Sequence, residues 1–290
     1  MKTILVATDF SPRSDRALRR AILIARRQGA TLVLAHVIDD DRQERLVTSQ
    51  RIAAQDLLDE ITASVRREDG VECAARLAFG APDEAIIAAG VEAGADLIIM
   101  GPHRRQSLKD IFVGTTVERV IRKSPLPVLM TVAPPTEAYA RAMVAVDLSE
   151  NAAAAFEAIR RLELAKGSPT GVVHVFEAPA QGLMLRASTT SDQLREYIAG
   201  QRARASADLD AFMERAGVRP DFRLIELADD TPAETIVKCA ARKNADLLVI
   251  GTRGRTGLSR LVLGSVAEGV LRRSQIDVLT VSLPLSATTA

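Results

Sequence analysis

Residues 251–266 read GTRGRTGLSRLVLGSV, and they directly follow the apolar run Asp246–Ile250. A short apolar run that ends at a glycine is typical of a buried strand. Glycine lets a backbone approach a ligand closely and adopt positive φ angles. The residues from Val266 onward predict a helix, whose first N–H groups and partial positive charge suit a phosphate. The stretch therefore predicts a strand, an anion-binding loop and a helix, with the Ser265 hydroxyl as one more donor.

Four residues of this stretch have the spacing G-x2-G-x9-G-[ST], which resembles the signature of the universal stress protein family. The matching residues are Gly251, Gly254, Gly264 and Ser265. In the ATP-binding branch of that family these positions surround the ribose and the phosphates, so the resemblance implies an adenine-nucleotide site. A tight strand–helix connection without any ligand is the alternative that the motif leaves open.

The pattern occurs twice, which indicates a tandem repeat. Asp9 and His36 of the first copy match Asp147 and His174 of the second copy, in both cases 138 residues later. From Pro82 onward the offset is 150 residues, so the second copy carries a net insertion of twelve residues. The resemblance to a tandem universal stress protein thus extends over nearly the whole chain.

Within each copy, short apolar strands alternate with amphipathic helices, which is typical of a parallel sheet covered on both faces. The sequence therefore predicts an α/β fold with two five-stranded parallel-sheet domains. Their predicted bounds are residues 1–133 and 141–283, with a linker at 134–140 and a flexible tail at 284–290. The resemblance implies that the copies pair through their last strands, Pro127–Thr131 and Asp277–Val281, which would also cover two apolar sheet edges.

The first copy has an altered version of the motif. Gly101, Gly114 and Thr115 match it, but Arg104 stands where the second copy has Gly254. A side chain at this position would block close backbone approach to a ligand, and the nearby proline stiffens the loop and lacks an N–H. The first site is therefore predicted to be lost or weakened. The alternative is that an arginine of this loop reaches the phosphates as a cation.

The nucleoside end of each predicted site lies at the ends of the first two strands. The resemblance places Asp9 and Asp147 at the adenosine, and the backbone of Val37 and Val175 at the adenine edge. A carboxylate can accept hydrogen bonds from ribose hydroxyls or from an amino group. The alternative role for each aspartate is to cap the next helix, unless the serine two residues later does so.

The histidines and cysteines do not indicate a metal site. His36 and His174 fall inside apolar strands and are predicted to be strand-end or core residues, and His103 is predicted to be solvated. Two cysteines, Cys73 and Cys239, are too few for a disulfide framework or a cysteine metal site. We expect both to be reduced, partly buried thiols, and we expect no zinc.

The insertion of the second copy covers roughly residues 177–190. It mixes proline, glycine and serine with the apolar run Leu183–Leu185. Such a segment could fold over the adenine as a lid. A disordered surface excursion is the alternative.

The composition excludes some classes of partner. The net charge is +1, which gives no attraction toward nucleic acid or a membrane surface. No apolar run reaches the length of a membrane span. The N-terminal residues predict a first strand rather than a leader, so a cytoplasmic location is expected.

The function predicted from these observations is adenine-nucleotide binding by a stress-response or signalling protein that is not an enzyme, or is at most a slow ATPase. The sequence does not distinguish ATP from ADP or AMP, and Mg²⁺ could accompany the phosphates. The alternatives are an ATP-hydrolysing enzyme and a nucleotide-free interaction module. Neither G-x-x-x-x-G-K-[ST] nor G-x-G-x-x-G after a first strand is present, which argues against P-loop and dinucleotide-fold enzymes. A homodimer of the whole chain rests on the resemblance alone.

Overall fold

The structure is a computed structural model that describes residues 1–40, 44–102, 115–186, 190–228, 230–252 and 263–282. The described elements of the first copy are β1 (Thr3–Ala7), α1 (Pro12–Gln28), β2 (Thr31–Ile38), α2 (Glu44–Ser64, continued by a π-helical turn over Val65–Asp69), β3 (Cys73–Phe79), α3 (Pro82–Glu92), β4 (Leu97–Met100), α4 (Thr116–Lys123) and β5 (Val128–Met130). Strands and helices alternate as the apolar pattern predicts.

The second copy repeats this order with one additional helix. Its described elements are β6 (Ala142–Val146), α5 (Glu150–Arg161), β7 (Thr170–Phe176), α6 (Gln181–Arg186), α7 (Ser191–Ala216), β8 (Phe222–Leu227), α8 (Pro232–Arg242), β9 (Leu247–Gly251), α9 (Ser265–Arg273) and β10 (Asp277–Val281). The additional helix α6 lies in the predicted insertion.

The two copies share one sheet of ten described strands in the order β3-β2-β1-β4-β5-β10-β9-β6-β7-β8. Strands within each copy are parallel, while β5 and β10 pair antiparallel, with Leu129 opposite Leu279. The prediction that the last strands join the copies is therefore confirmed. As a result, the two remaining edges are β3 and β8, one from each copy.

Successive residues of a strand point to opposite faces of the sheet. Apolar side chains therefore emerge on both faces, and helices cover each of them. One apolar cluster contains Ala21 of α1, Leu58 of α2, Phe156 of α5 and Leu209 of α7. The other contains residues of α3, α4, α8 and α9, such as Val270. Each cluster includes residues from both copies, so the two units share their cores.

A buried polar cluster fixes the linker between the copies. Tyr139 donates a hydrogen bond of 2.6 Å to Asp277, and Arg20 of α1 donates one of 3.0 Å to the same carboxylate oxygen. The backbone N–H groups of Val132 and Ala133 donate to the other oxygen at 2.8 and 3.2 Å. Burial, together with the neighbouring Asp277 carboxylate, raises the pKa of Tyr139 well above its ordinary value.

Both cysteines are free, and both are fully buried where partial burial was expected. Burial raises the pKa of the Cys73 thiol to about 11 and also raises the pKa of the Cys239 thiol. No helix in the described ranges combines the length and the apolar character that a membrane crossing requires. The predicted tail at 284–290 lies outside the described residues, and the domain bounds at 133 and 141 stay predictions.

Candidate functional site

The second copy has a cavity of about 880 Å³ at the carboxyl ends of β6, β7 and β9, where parallel sheets bind ligands. It lies between α7, on one face of the sheet, and the first turns of α8 and α9, on the other. Five of the residues predicted from sequence line it: Asp147, Val175, Gly251, Gly264 and Ser265. The sixth, Gly254, lies outside the described residues. The structure thus brings the separated motif positions into one concave site.

The first motif glycine of each copy is required by helix packing. A Cβ added to Gly251 would lie 2.9 Å from the Cβ of Asn151, and one added to Gly101 would lie 2.7 Å from the carbonyl oxygen of Arg13. Both contacts are with the first turn of the helix that follows the first strand. Neither Gly251 nor Gly264 uses the freedom to adopt a positive φ: Gly264 has φ of −63°, and Gly251 is not among the described glycines with positive φ.

The start of α9 presents backbone donors to the cavity. Gly264 is the N-cap, and Ser265, the first helical residue, is exposed. The Gly264 N–H is already used, because it donates to the Thr252 carbonyl at 2.9 Å. The N–H groups of Ser265 and Val266 belong to the first turn, which has no intrahelical acceptors. These two groups are therefore backbone donors that α9 can offer to an anion, together with the N–H of Ala267, which also lines the cavity.

The aspartate at the end of β6 orients the helix cap instead of forming it. Asp147 Oδ1 accepts a hydrogen bond of 3.1 Å from the N–H of Ser149 and a second one from its hydroxyl. Ser149 is the N-cap of α5, so the capping alternative for the aspartate is wrong. Between them, Leu148 has φ of 66°, an uncommon value for a residue other than glycine. This turn places Asp147 at the cavity, and Asp147 is one of its lining residues.

The corresponding aspartate of the first copy has a cationic partner. Asp9 lies 3.5 Å from Arg13, whereas the residue at the matching position of the second copy is Asn151. Burial raises the pKa of Asp9, but hydrogen bonds from Ser11 and Ser14 and the Arg13 charge outweigh burial and leave that pKa below its ordinary value. Arg13 therefore partly neutralises the Asp9 carboxylate, whereas Asn151, at the matching position of the second copy, carries no charge.

Each strand-end histidine is held by a backbone carbonyl. The Nδ1 atoms of His36 and His174 lie 2.8 Å from the carbonyl oxygens of Thr8 and Val146. Because a carbonyl only accepts, each Nδ1 carries the hydrogen. Among the residues whose placement is described, no group of three or more His, Cys, Asp or Glu side chains could hold a metal ion.

The first copy has a smaller cavity at the matching place, of about 340 Å³. Asp9, Val37, Gly101 and Thr115 line it, while Gly114 and the substituted position 104 lie outside the described residues. Thr115 is buried and is the N-cap of α4, accepting a hydrogen bond of 3.2 Å from the N–H of Glu118. Its hydroxyl is thus engaged within the helix, unlike the exposed Ser265.

A second cavity of the first copy, of about 370 Å³, lies against α2. Phe10 lines this second cavity, and its ring centroid lies 4.4 Å from that of His36, which lines both cavities. The second copy has Leu148 in place of this aromatic residue, and besides its larger cavity it has one of about 320 Å³ along α7.

Sequence reasoning missed the residues that α7 contributes. Gln201, Arg204 and Asp208 line the cavity from one face of this helix. Their spacing of three and four residues places them on a single helical face. This spacing was the sequence feature that could have indicated a shared role. Thr252 was also missed: it is buried, its carbonyl holds Gly264, and its hydroxyl lies 2.7 Å from that of Ser282.

The insertion forms a short helix beside α7. The Tyr197 hydroxyl accepts a hydrogen bond of 3.1 Å from the N–H of Ala180. Leu183 and Leu185 are 68% and 66% exposed. Glu177 lines the cavity, but no residue of α6 is among its described lining residues, so the lid hypothesis is not supported by this arrangement.

Comparison with known proteins gives matches for both copies. The model of the universal stress protein family matches residues 1–131 and again residues 138–282. Universal stress protein E from Escherichia coli (strain K12) is 26% identical and aligns with 97% of this chain and 93% of its own. A crystal structure of a functionally unknown protein from Pseudomonas aeruginosa PAO1 is 26% identical, with a TM-score of 0.68, covering 97% of this chain and 92% of that one. A universal stress protein crystallised in complex with cAMP is 25% identical, with a TM-score of 0.38, covering 46% of this chain and 98% of that one.

Proposed function

The chain belongs to the universal stress protein family, and on that premise we propose that its second copy binds an adenine nucleotide. The protein then acts as a nucleotide-responsive stress or signalling protein, and we assign it no catalytic residue. The observation that carries this proposal is the cavity of about 880 Å³, lined by the described motif positions of the second copy. Its volume falls in the range of ordinary small-molecule sites.

The phosphates are assigned to the start of α9. The N–H groups of Ser265 and Val266, the Ser265 hydroxyl and the positive end of the helix dipole all favour an anion there. The loop that contains Gly254 would complete the phosphate site. Mg²⁺ would be carried by the phosphates themselves, because the described residues include no acidic cluster that could hold it.

The nucleoside is assigned to the ends of β6 and β7. The Asp147 carboxylate can accept a hydrogen bond from a ribose hydroxyl, and the backbone of Val175 can pair with the edge of the base. Ile236 and Ile250 supply apolar contacts for the base from the α8 side. ATP, ADP and AMP share these groups and differ only at the α9 end, so the phosphate chain length is decided there.

We propose that the first copy does not bind nucleotide at comparable affinity. Arg13 pairs with Asp9, and the Thr115 hydroxyl caps α4. The cavity is also smaller, at about 340 Å³. Each of these differences leaves the first copy with one fewer free polar group, or with less space, for a nucleotide than the second copy has. The first copy would serve instead as the partner that covers the β10 edge.

Identification of co-purified nucleotide and thermal unfolding test the proposal together. Nucleotide released from denatured protein would be identified by mass spectrometry, and the melting temperature of nucleotide-free protein would be followed with ATP, ADP, AMP and cAMP. A ligand at one hundred times its Kd adds about 2.7 kcal/mol of stability, so the melting temperature should rise. Absence of released nucleotide, with no rise at millimolar concentrations of any of the four, would contradict the proposal.

A further inference from the structure

One residue beside the phosphate end of the cavity joins three segments of the second copy. Thr252 directly follows β9, and its carbonyl accepts a hydrogen bond of 2.9 Å from the N–H of Gly264, the N-cap of α9. Its own N–H donates at 2.9 Å to the carbonyl of Val281, the last residue of β10. Its hydroxyl lies 2.7 Å from that of Ser282. The end of β9, the end of β10 and the start of α9 therefore meet at Thr252.

The backbone bond between Thr252 and Gly264 joins the two ends of the segment that contains Gly254. Gly264 is followed directly by Ser265 and Val266, whose N–H groups are assigned to the phosphates. Hydrogen bonds weaken steeply as a donor moves out of line with its acceptor. The position of Gly264 therefore determines how well these N–H groups reach a phosphate oxygen, and Thr252 holds that position.

The hydroxyl bond to Ser282 holds Thr252 against the end of β10. The bond lies inside the protein, because Thr252 is 3% exposed. A buried hydroxyl group that loses its partner costs free energy. Movement of Thr252 away from β10 would break this bond and also the bond from its N–H to Val281. The two bonds together therefore oppose displacement of the segment that begins at Thr252.

Thr252 acts on a ligand mainly through its neighbours. It is among the residues that line the cavity, but little of its surface is open to solvent. Its N–H and its carbonyl are both engaged with backbone groups, and its hydroxyl faces Ser282. Its effect on a bound nucleotide therefore passes through Gly264 and the start of α9.

The first copy cannot form the N–H bond or the hydroxyl bond of this arrangement. Pro102 stands at the position of Thr252, 150 residues earlier, and proline has neither an N–H nor a hydroxyl. Val132 stands at the position of Ser282 and also lacks a hydroxyl. Its N–H donates instead to Asp277, at the junction between the copies. These two bonds are therefore specific to the copy with the larger cavity.

We propose that Thr252, through its hydroxyl bond to Ser282, is a positioning residue for the phosphate chain of the nucleotide. The inference rests on the proposed function and adds to it a residue that affects phosphate affinity through the start of α9. The nucleoside is assigned to the ends of β6 and β7, whereas Thr252 lies between the ends of β9 and β10. Loss of the hydroxyl bond should therefore weaken binding of the phosphates and leave the nucleoside contacts in place.

Calorimetric titration with ATP and with adenosine, which lacks the phosphates, tests this inference. Thr252→Val removes the hydroxyl and keeps the branched shape of the side chain. Affinity for ATP should fall about three- to tenfold, the range that one hydrogen bond represents, while affinity for adenosine stays at the wild-type value. Thr252→Ser keeps the hydroxyl and should retain the affinity for ATP.

The partner residue allows a double-mutant cycle. Ser282→Ala removes the other half of the same bond and should lower ATP affinity to a similar extent. Thr252→Val combined with Ser282→Ala should cost little more than either change alone, because both changes remove one interaction. This non-additivity would separate the hydroxyl bond from independent effects of the two side chains.

Thr280→Val is the matched control, because the buried hydroxyl of Thr280 donates at 3.0 Å to the carbonyl of Val128. Its loss should lower the free energy of unfolding but leave the ratio of ATP affinity to adenosine affinity unchanged. Circular dichroism checks the folding of every variant.

Three results would contradict the role assigned to Thr252 while leaving the proposed function intact. They are unchanged ATP affinity in Thr252→Val and Ser282→Ala, equal losses of ATP and adenosine affinity, and a change of the affinity ratio in Thr280→Val as large as that in Thr252→Val. Failure of the wild type to bind either ATP or adenosine would overturn both the inference and the proposed function.

Discussion

The phenolic oxygen of Tyr139 lies 2.6 Å from Oδ2 of Asp277, and both side chains are almost completely buried. Arg20 also forms an ion pair with this carboxylate. The Asp277 side chain therefore connects β10 of the second copy with both the linker and α1 of the first copy. The pairing of β5 with β10 is therefore supported by side-chain contacts as well as by the strand ladder.

Removal of the Tyr139 hydroxyl should destabilise the whole chain. Tyr139→Phe takes one donor from a buried carboxylate, and hydrogen bonds to charged groups contribute about 1.5–3 kcal/mol. The measurement is the free energy of unfolding in urea. Tyr197→Phe is the control, because among the described residues its hydroxyl bonds to the Ala180 N–H, beside the exposed helix α6. Equal effects of the two substitutions would contradict the role assigned to Tyr139.

Gly251→Ala should lower stability because the new Cβ would meet Asn151 at 2.9 Å. Overpacking of this kind costs about 1–3 kcal/mol. Gly200→Ala in α7 is the matched control, since nothing lies within 4 Å of its added Cβ. Alanine favours a helix over glycine by about 0.5–1 kcal/mol, so the control should unfold at a slightly higher urea concentration than the wild type. A stable Gly251→Ala protein would show that α5 can move away from the strand.

Lowering the pH should reduce the contribution of Asp83 to the free energy of unfolding. Burial raises the pKa of Asp83, but Lys123 at 2.8 Å and Arg119 at 3.1 Å outweigh burial and hold it below its ordinary value. A carboxyl group whose pKa is lower in the folded protein than in the unfolded chain stabilises the fold. This stabilisation is complete at pH values above the unfolded pKa, about 3.9, and it is lost as the pH falls through the folded pKa. Asp83→Asn should therefore cost most near pH 7 and progressively less below about pH 4.

Urea unfolding of this variant at several pH values between 3 and 7 provides the measurement. Asp56→Asn, on the exposed side of α2, should match the wild type throughout. A cost of Asp83→Asn that does not change with pH would show that packing, and not the ion pairs, determines its effect.

Much of the fold follows from patterns that are local in the chain. The repeated strand–helix alternation and the 138-residue offset between Asp9 and Asp147 define two copies before any contact is known. Apolar last strands with no other partner favour the pairing seen between Leu129 and Leu279. These features need only the sequence, because they depend on period and composition.

The details of the site depend on contacts that no local pattern encodes. Gly251 must be a glycine because of Asn151, which is distant in sequence and is brought near by the sheet. Thr115 and Ser265 occupy the same motif position, yet Thr115 caps its helix and Ser265 is the first residue of its helix. The cavity-lining face of α7 could not be distinguished from a solvated polar face until the neighbouring strands were placed.

Gly254→Arg should copy the altered loop of the first copy into the second. Both Gly254 and Arg104 lie outside the described residues, so this prediction rests on sequence. A side chain where the backbone approaches phosphate, or a strained loop, costs about 1–3 kcal/mol, which is about tenfold or more in affinity. Equilibrium dialysis with labelled ATP measures the loss.

Arg104→Gly is the reciprocal change, and Pro102 should limit it to partial recovery in the first copy. Undiminished ATP binding in Gly254→Arg would show that the phosphate site does not need its second glycine.

The stoichiometry of ATP binding, measured by calorimetry on the wild type and on the matched variants Asp9→Ala and Asp147→Ala, tests the asymmetry of the two copies most directly. We predict one nucleotide per chain in the wild type, unchanged binding in Asp9→Ala and strongly reduced binding in Asp147→Ala, with circular dichroism confirming that both variants fold. Two equivalent nucleotides per chain, or a loss of binding in Asp9→Ala with Asp147→Ala unaffected, would contradict the assignment of the site to the second copy.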